Sequence, residues 1–330
     1  MWVSSRFLVL SSRFLVLSSR FLVLRSSFFV LRSSFFVDRG LWFVLSHVES
    51  RDMGLSSRLS FRSLFLISLF LLASVPFSFG VELKPRTREA FDKYVRLTEE
   101  RIKGEVAQGK QFLAIDGMSV EQRNAVMARL KSGEVVIDRK QTMENGKPID
   151  VPDGLIHHWM GVVFIPGTTL KKTLALQQDY DHHAQYYAPS VTRSKLVSRK
   201  GDEFKIAYRV RQKKVITVVM DTDYDVLYEA VSPTRERSRS ISTRIQEIEN
   251  PGESNERAKP VDDGNGFMWR LNSYWRMDER DGGVYVQCEA VSLSRDIPTG
   301  LGWMIKGYVE SVPRESLMFT LGKTREALGK

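Results

Sequence analysis

Residues 266–293, GFMWRLNSYWRMDERDGGVYVQCEAVSL, contain two runs of strand-forming residues joined by an acidic turn with two glycines. Both runs alternate apolar and polar residues, as strands with one buried face do. We predict a β-hairpin with a four-residue turn, Glu279–Gly282, that pairs Asp278 with Gly283. Both strands then agree on which face is apolar, and this agreement selects the register. The apolar face carries Trp269, Leu271, Ser273, Trp275, Val286, Cys288, Ala290 and Ser292.

The two faces of this hairpin predict opposite effects of substitution. Trp275 lies on the apolar face, so Trp275→Ala is expected to cost about 3–5 kcal/mol of stability. Arg276 lies on the opposite face with Arg270 and Glu289, and Arg276→Ala is expected to cost little. Cys288 is expected to be a small buried residue rather than a nucleophile.

A second strand pattern lies upstream, in EFKIAYRV at 203–210. Phe204, Ile206 and Tyr208 alternate with polar residues there, which predicts another strand with one buried face. The final part of the chain is predicted to be a long helix that begins at a Ser311 cap and has Pro313 in its first turn.

Two helices are predicted ahead of the strands. Apolar residues at helical spacing predict a helix over Thr87–Val106. A capping box at Ser119, formed with Gln122, begins the second helix. We predict that residues 81–133 form a separate N-terminal helical element that packs on a main domain of residues 134–330.

The first 80 residues read as two leader segments. Residues 1–52 form a low-complexity leader in which the heptad SSRFLVL occurs three times without change, and we expect this part to be absent from the mature protein. An organelle transit peptide is the alternative. Residues 53–80 have the layout of a signal peptide, with Arg58 and Arg62 before an apolar core, so we expect a secreted or periplasmic protein. A retained membrane anchor is the alternative, although Pro76 interrupts the apolar stretch.

Most of the positive charge lies in these leaders. The chain has a net charge of +10, but residues 1–80 contain nine Arg and three acidic residues, a net of +6, which leaves +4 for residues 81–330. This remainder is mildly basic, and we expect no nucleic-acid partner. Cys288 is the only cysteine, so an exported protein of this sequence contains no internal disulfide.

The order of the predicted elements from Gly154 to Leu328 is a strand, two short helices, an antiparallel meander and a closing helix. It resembles the START-like (SRPBCC) superfamily, which includes StAR-related lipid-transfer domains and polyketide cyclases, and we identify the chain as similar to bacterial secreted members. The stretches FIPGTTLKKTLALQQDYDHHAQYYAPSV, LNSYWRMDERDGGVYVQCEAVSLSRDIP, GLGWMIKGYVESVPRESL and LGKTREAL carry the resemblance. It implies an α+β helix-grip fold, with a curved antiparallel sheet wrapped around the C-terminal helix.

A curved sheet that wraps a helix leaves a cavity between the two, and such pockets accept apolar ligands with a few polar anchors. We therefore expect non-catalytic binding or transport of a hydrophobic small molecule, a lipid in particular, with transient membrane contact. We expect no cofactor, no metal and no catalytic residue. The alternatives are a cyclase- or aromatase-like enzyme in the same cavity, and an inert interaction module. The predicted lining residues are Phe204, Ile206, Tyr208, Trp269, Leu271, Trp275, Val286, Ala290, Trp303 and Tyr308.

Three further motifs are candidates for metal or phosphate binding. DYDHH places Asp179 and His182 three residues apart, so on a helix both side chains could bind one metal ion. Solvated side chains explain the same residues more simply. The four arginines of TRERSRSISTR, at 234–244, suit phosphate groups or one solvated strand face. DTDYD, at 221–225, resembles the start of a calcium loop but lacks its later Gly and Glu.

The mature protein is predicted to start near Val81, and N-terminal sequencing of the protein exported by its host measures this directly. A mature chain that retains Phe65–Phe70 would contradict cleavage of the signal region. A mature chain that also retains Ser4–Leu24 would show that the leader is part of the working protein.

Overall fold

The computed structural model describes residues 33–38, 41–46, 80–107, 111–214, 216–297 and 302–329. They belong to two units, Met1–Pro76 and Phe77–Lys330. In the first unit, β1 (Ser33–Asp38) and β2 (Leu41–Ser46) form an antiparallel hairpin. The unchanged heptads at 4–24 and residues 53–79 of the predicted signal peptide lie outside the described residues.

The second unit begins with a helical layer. A short strand, β3 (Val81–Glu82), leads into α1 (Pro85–Ala107), and α2 (Val120–Lys131) follows. The predicted helices are confirmed, since Phe91, Tyr94 and the other buried residues of α1 lie three or four positions apart on one face. The predicted capping box at Ser119 is also present. The buried stripe of α1 consists of Thr87, Phe91, Tyr94, Thr98 and Ile102.

The rest of the second unit is a long meander closed by a helix. Its strands are β4 (Val136–Arg139), β5 (Met143–Glu144), β6 (Lys147–Pro148), β7 (Gly154–Pro166), β8 (Val191–Lys200), β9 (Glu203–Lys213), β10 (Thr217–Ser232), β11 (Arg235–Glu249), β12 (Arg257–Ala258), β13 (Asp263–Gly264), β14 (Arg270–Arg280) and β15 (Gly283–Arg295). Its helices are α3 (Leu170–Gln177) and α4 (His183–Tyr186), between β7 and β8, and α5 (Gly302–Leu328) at the end.

Among the described residues, one antiparallel sheet of nine strands dominates the fold. Its order is β4-β7-β15-β14-β11-β10-β9-β8, with β12 added beside β11. Leu317 and Leu321 of α5 pack on the central strands in one apolar cluster with Val163 and Val286. The predicted α+β helix-grip arrangement, a sheet with the C-terminal helix packed across it, is therefore confirmed. The second apolar cluster, under α1, lies on the other face of the sheet.

The hairpin at 266–293 is present, but its predicted four-residue turn is wrong. Arg280 pairs with Gly283, so the turn consists of Asp281 and Gly282 alone. Both turn residues have positive φ, 56° and 74°, as a type I′ turn requires, and this turn matches the twist of the strands. The pairing moves by two residues, so Trp275 lies opposite Cys288 and the side chains of the paired residues 270–280 and 283–293 keep their predicted faces.

The last helix begins earlier than the sequence predicts. It starts at Gly302 rather than after Ser311, and Pro313 lies inside it. Proline in a helix interior is costly. A helix that began at Ser311 would have placed Pro313 in its first turn, where proline is tolerated. Burial of Leu317 and Leu321 against the sheet stabilises the helix as a whole, because packing of an apolar face outweighs intrinsic propensity.

At β14 and β15, the outer face of the sheet, the one turned away from α5, is covered and not solvated. Arg276 is only 2% exposed. Its guanidinium donates to the Phe112 carbonyl oxygen at 2.9 Å and pairs with the Glu105 carboxylate at 2.7 Å. The prediction that Arg276 lies in solvent is wrong, because strand alternation identifies the two faces but does not show that α1 and the segment after it cover the second one.

Arg276→Ala is expected to lower the free energy of unfolding by about 3 kcal/mol, since it leaves polar partners buried without their cation. Chemical denaturation of the purified protein measures this loss. Arg211→Ala is the matched control, because Arg211 is an exposed strand arginine on β9 and its removal should change stability by less than about 0.5 kcal/mol. Equal losses in the two variants would contradict the described burial of Arg276.

Candidate ligand-binding site

The inner face of the sheet, which faces α5, brings together most of the predicted lining residues. Phe204 and Ile206 of β9 and Val286 of β15 are buried in the cluster that includes α5. Tyr208, Leu271 and Trp275 pack against the same cluster and are partly buried. Ala290 lies two residues beyond Cys288 on the same face of β15, opposite Ser273 of β14.

Trp269 is the exception among the predicted lining residues. It is 5% exposed and belongs to the cluster beneath α1, together with Phe91 and Leu293. The prediction extended strand alternation one step too far, because β14 begins only at Arg270. Trp303 and Tyr308 belong to the first turns of α5, and their side chains lie outside the described part of the structure.

Partly exposed apolar side chains are concentrated in one half of the inner face. Trp159, Leu271, Trp275 and Ala290 are all only partly buried, and they lie in the half from which β15 leads to α5. The inner face of the other half contains fully buried residues such as Met277. The surface that an apolar ligand would contact therefore lies under the beginning of α5.

Several tyrosines and one histidine form a hydrogen-bonded cluster beside α3 and α4. The Nε2–H of His183 donates to the Leu176 carbonyl oxygen at 3.1 Å, since a carbonyl can only accept. Nδ1 of His183 therefore accepts from the Tyr208 hydroxyl at 2.7 Å. The Tyr228 hydroxyl donates to the Gln177 carbonyl oxygen at 3.1 Å and lies 2.8 Å from the Tyr180 hydroxyl.

These buried groups are uncharged at neutral pH. Burial lowers the pKa of His183 to about 4, so its imidazole stays neutral. Burial also raises the pKa of Tyr208 and of the Cys288 thiol well above their usual values. The Cys288 thiol is thus held in its unreactive form, as predicted for a buried cysteine.

A cavity of about 180 Å³ lies between the end of β9 and α5, and we call it the mouth cavity. Its walls combine polar side chains from both elements with apolar side chains of α5. The lining residues are Ser190, Gln212, Lys214, Val312, Glu315, Ser316 and Phe319.

On the outer face, a buried polar cluster fastens α1 to the sheet. The Glu289 carboxylate lies 2.6 Å from Nε2 of His158 and also pairs with Arg101 of α1. The Tyr94 hydroxyl of α1 lies 2.8 Å from Nδ1 of His158 and accepts from the backbone N–H of Thr142 at 2.8 Å. The sequence placed Glu289 on the outer face correctly, but it gave no signal for the partners that α1 supplies.

Burial alone would raise the pKa of Glu289, but its hydrogen bond to His158 and the charges of Arg101 and Arg276 outweigh burial and lower it. One oxygen of this carboxylate, Oε2, is buried without a hydrogen-bond partner. The carboxylate is therefore held ionised inside the protein by cations from α1 and from the sheet.

The DYDHH motif forms a local hydrogen-bonded group. The Asp179 carboxylate lies 2.7 Å from Nδ1 of His182 and accepts from the Tyr186 hydroxyl at 2.6 Å. Asp179 and His182 thus hydrogen-bond to each other, and both side chains remain partly exposed, as expected for solvated side chains. Among the described residues, no three His, Cys, Asp or Glu side chains are grouped as a metal site would require.

The arginine-rich strand is β11, and its charges are balanced by acids. One DTDYD carboxylate of β10 supplies part of that balance, because Asp223 pairs with Arg244, while Asp225 pairs with Lys205 of β9. The phosphate-binding interpretation of this strand loses support as a result. The arginine pairs are Arg235–Asp278, Arg237–Glu229, Arg239–Glu99 and Arg244–Asp223.

The order of elements matches the predicted helix-grip fold. An antiparallel meander has two short helices after its first long strand, and the C-terminal helix lies across its inner face. The chain has a START-like helix-grip fold. No family model and no curated protein matches this chain. No helix among the described residues is long and apolar enough to cross a membrane.

Solved structures similar to this chain share little sequence with it. A STAR-related lipid transfer protein from Xanthomonas axonopodis is 15% identical, covering 59% of this chain and 99% of that chain, with a TM-score of 0.38. Human STARD10 is 8% identical, covering 62% and 80%, with a TM-score of 0.37. The Zhui aromatase/cyclase from Streptomyces sp. R1128 is 10% identical, covering 53% and 96%, with a TM-score of 0.34.

Glu289→Gln is expected to lower the free energy of unfolding by about 3 kcal/mol at pH 7, because buried cations lose their carboxylate. The folded-state pKa of Glu289 is lowered, so its contribution is present above the unfolded-state pKa and is lost as the pH falls through the folded-state pKa. Denaturation of parent and variant between pH 7 and pH 3 should show the difference narrowing. Glu121→Gln, at an exposed position of α2, is the control. If the loss of unfolding free energy caused by Glu289→Gln did not change with pH, the ionised carboxylate would not be its cause.

Proposed function

We propose that this protein binds and carries a hydrophobic small molecule, a lipid in particular, between the inner face of the sheet and α5. The observation that carries the proposal is the band of partly buried apolar side chains on that face. Trp159, Leu271 and Trp275 retain accessible surface there, while the residues beside them on the outer face are covered by α1. Apolar surface that a fold keeps accessible in a concave site is available for an apolar ligand.

The electrostatics of the inner face favour a carrier over an enzyme. A cyclase- or aromatase-like reaction needs an acid or a base whose pKa lies near the working pH. Among the described side chains on this side of the sheet, the His183 imidazole is the best candidate for such an acid or base. Its pKa, however, is lowered to about 4, and both of its ring nitrogens already have hydrogen-bond partners. The carboxylate–histidine pair of Glu289 and His158 lies on the outer face, away from the proposed ligand.

The proposed place of action is outside the cytoplasm, in the periplasm or the medium, with transient contact to a membrane that supplies the ligand. The arrangement of residues 53–80 as a signal peptide supports this location. A carrier needs such contact because a hydrophobic ligand has to leave one apolar environment and enter another.

Titration with fluorescent acyl and sterol probes tests the carrier function. The parent protein is expected to bind at least one probe saturably, at one site per chain. Ala290→Phe places a large side chain on the accessible part of the inner face, and we expect it to weaken binding at least tenfold by filling the space that the ligand needs.

Val197→Phe is the matched control, because Val197 is 60% exposed on β8 and its enlargement should leave binding unchanged. Circular dichroism confirms that each variant is folded. A well-folded parent that binds no probe saturably would remove the carrier function. Equal binding by the parent and a folded Ala290→Phe variant would place the ligand elsewhere.

A further inference from the structure

The mouth cavity has the mixed lining that the head group of an amphiphile requires. Val312 and Phe319 of α5 supply apolar surface, and Gln212 of β9 and Ser316 of α5 supply hydrogen-bonding groups. Gln212 is on the same face of β9 as Tyr208, so the cavity continues the inner face toward the end of the strand. A ligand chain along the inner face would bring its polar end to this cavity.

The charges in the mouth cavity cancel. The ammonium group of Lys214 lies 2.6 Å from the Glu315 carboxylate, and both side chains are partly exposed. An anionic head group at this position would have to approach Glu315, and a cationic one would have to approach Lys214. A head group without net charge avoids both repulsions.

The other polar groups of the cavity suit hydroxyl groups. The side-chain amide of Gln212 donates to Oγ of Ser316, and that hydroxyl donates to the Val312 carbonyl oxygen at 2.9 Å. A ligand hydroxyl can both donate and accept, so it can join such a chain of bonds at either end. The cavity volume of about 180 Å³ is many times the roughly 10–15 Å³ that a single water molecule requires, which leaves room for a small polyol head.

We propose that the mouth cavity selects single-chain amphiphiles with an uncharged, hydroxyl-bearing head group over those with an ionised head. This inference rests on the proposed carrier function and names the class of ligand that the same site takes. Lys214 and Glu315 act together as the selecting pair. Each repels the head group that the other would attract.

The test compares two ligands with the same acyl chain, monopalmitoylglycerol and palmitate, in displacement titrations at pH 8.5 and about 0.15 M salt, where long-range charge effects are screened. The parent is expected to bind monopalmitoylglycerol up to about fivefold more tightly than palmitate, since a half-exposed charge is worth no more than about that factor in affinity. Glu315→Gln removes the repelling carboxylate. It should strengthen palmitate binding about fivefold and leave monopalmitoylglycerol within about twofold.

Glu326→Gln is the matched control, because it also removes a carboxylate of α5 that pairs with a lysine, Lys323, at 2.7 Å, and Glu326 does not line the mouth cavity. It should change neither affinity. The proposed selection would be wrong if both ligands bound saturably with equal affinity, or if Glu315→Gln changed both affinities equally. Either result would still be consistent with the carrier function. Failure of the parent to bind any acyl or sterol probe would overturn both.

Discussion

The close contact between α5 and β7 at Gly161 is the constraint on which the rest of the fold depends. A Cβ atom on Gly161 would lie 2.5 Å from Cδ1 of Leu321, so a side chain at this position would force the Leu321 side chain to move. Leu317 lies beside the same position. This contact fixes the second half of α5 on the sheet, while the first half crosses toward the end of β9.

This arrangement explains why the inner face has two different halves. Where α5 lies close to β7, the space is filled by side chains such as Val163 and Leu321, and packing is complete. Near the end of β9, α5 is held through polar side chains instead, including Lys214 with Glu315. Half-exposed ion pairs contribute little, about 0–1 kcal/mol. The helix is therefore anchored firmly at one end and weakly where it lines the mouth cavity.

The sequence predicted the faces of the strands well, because alternation is a local property of the chain. Trp275, Val286 and Ala290 lie on the predicted face even though the turn is two residues shorter than expected. The sequence did not predict what covers the opposite face. Arg276 and Glu289 are polar residues that alternation assigns to solvent, and their burial depends on partners in α1 that lie 171 and 188 positions away in the chain. Their partners emerge only from the tertiary structure.

Native mass spectrometry of the protein purified from its host, and of the same protein incubated with a total lipid extract, tests the central claim most directly. The account predicts a species heavier than the bare chain by the mass of one lipid, which organic solvent removes. Only the mass of the bare chain, from a protein shown to be folded and after exposure to the extract, would contradict a carrier function for the space between the sheet and α5.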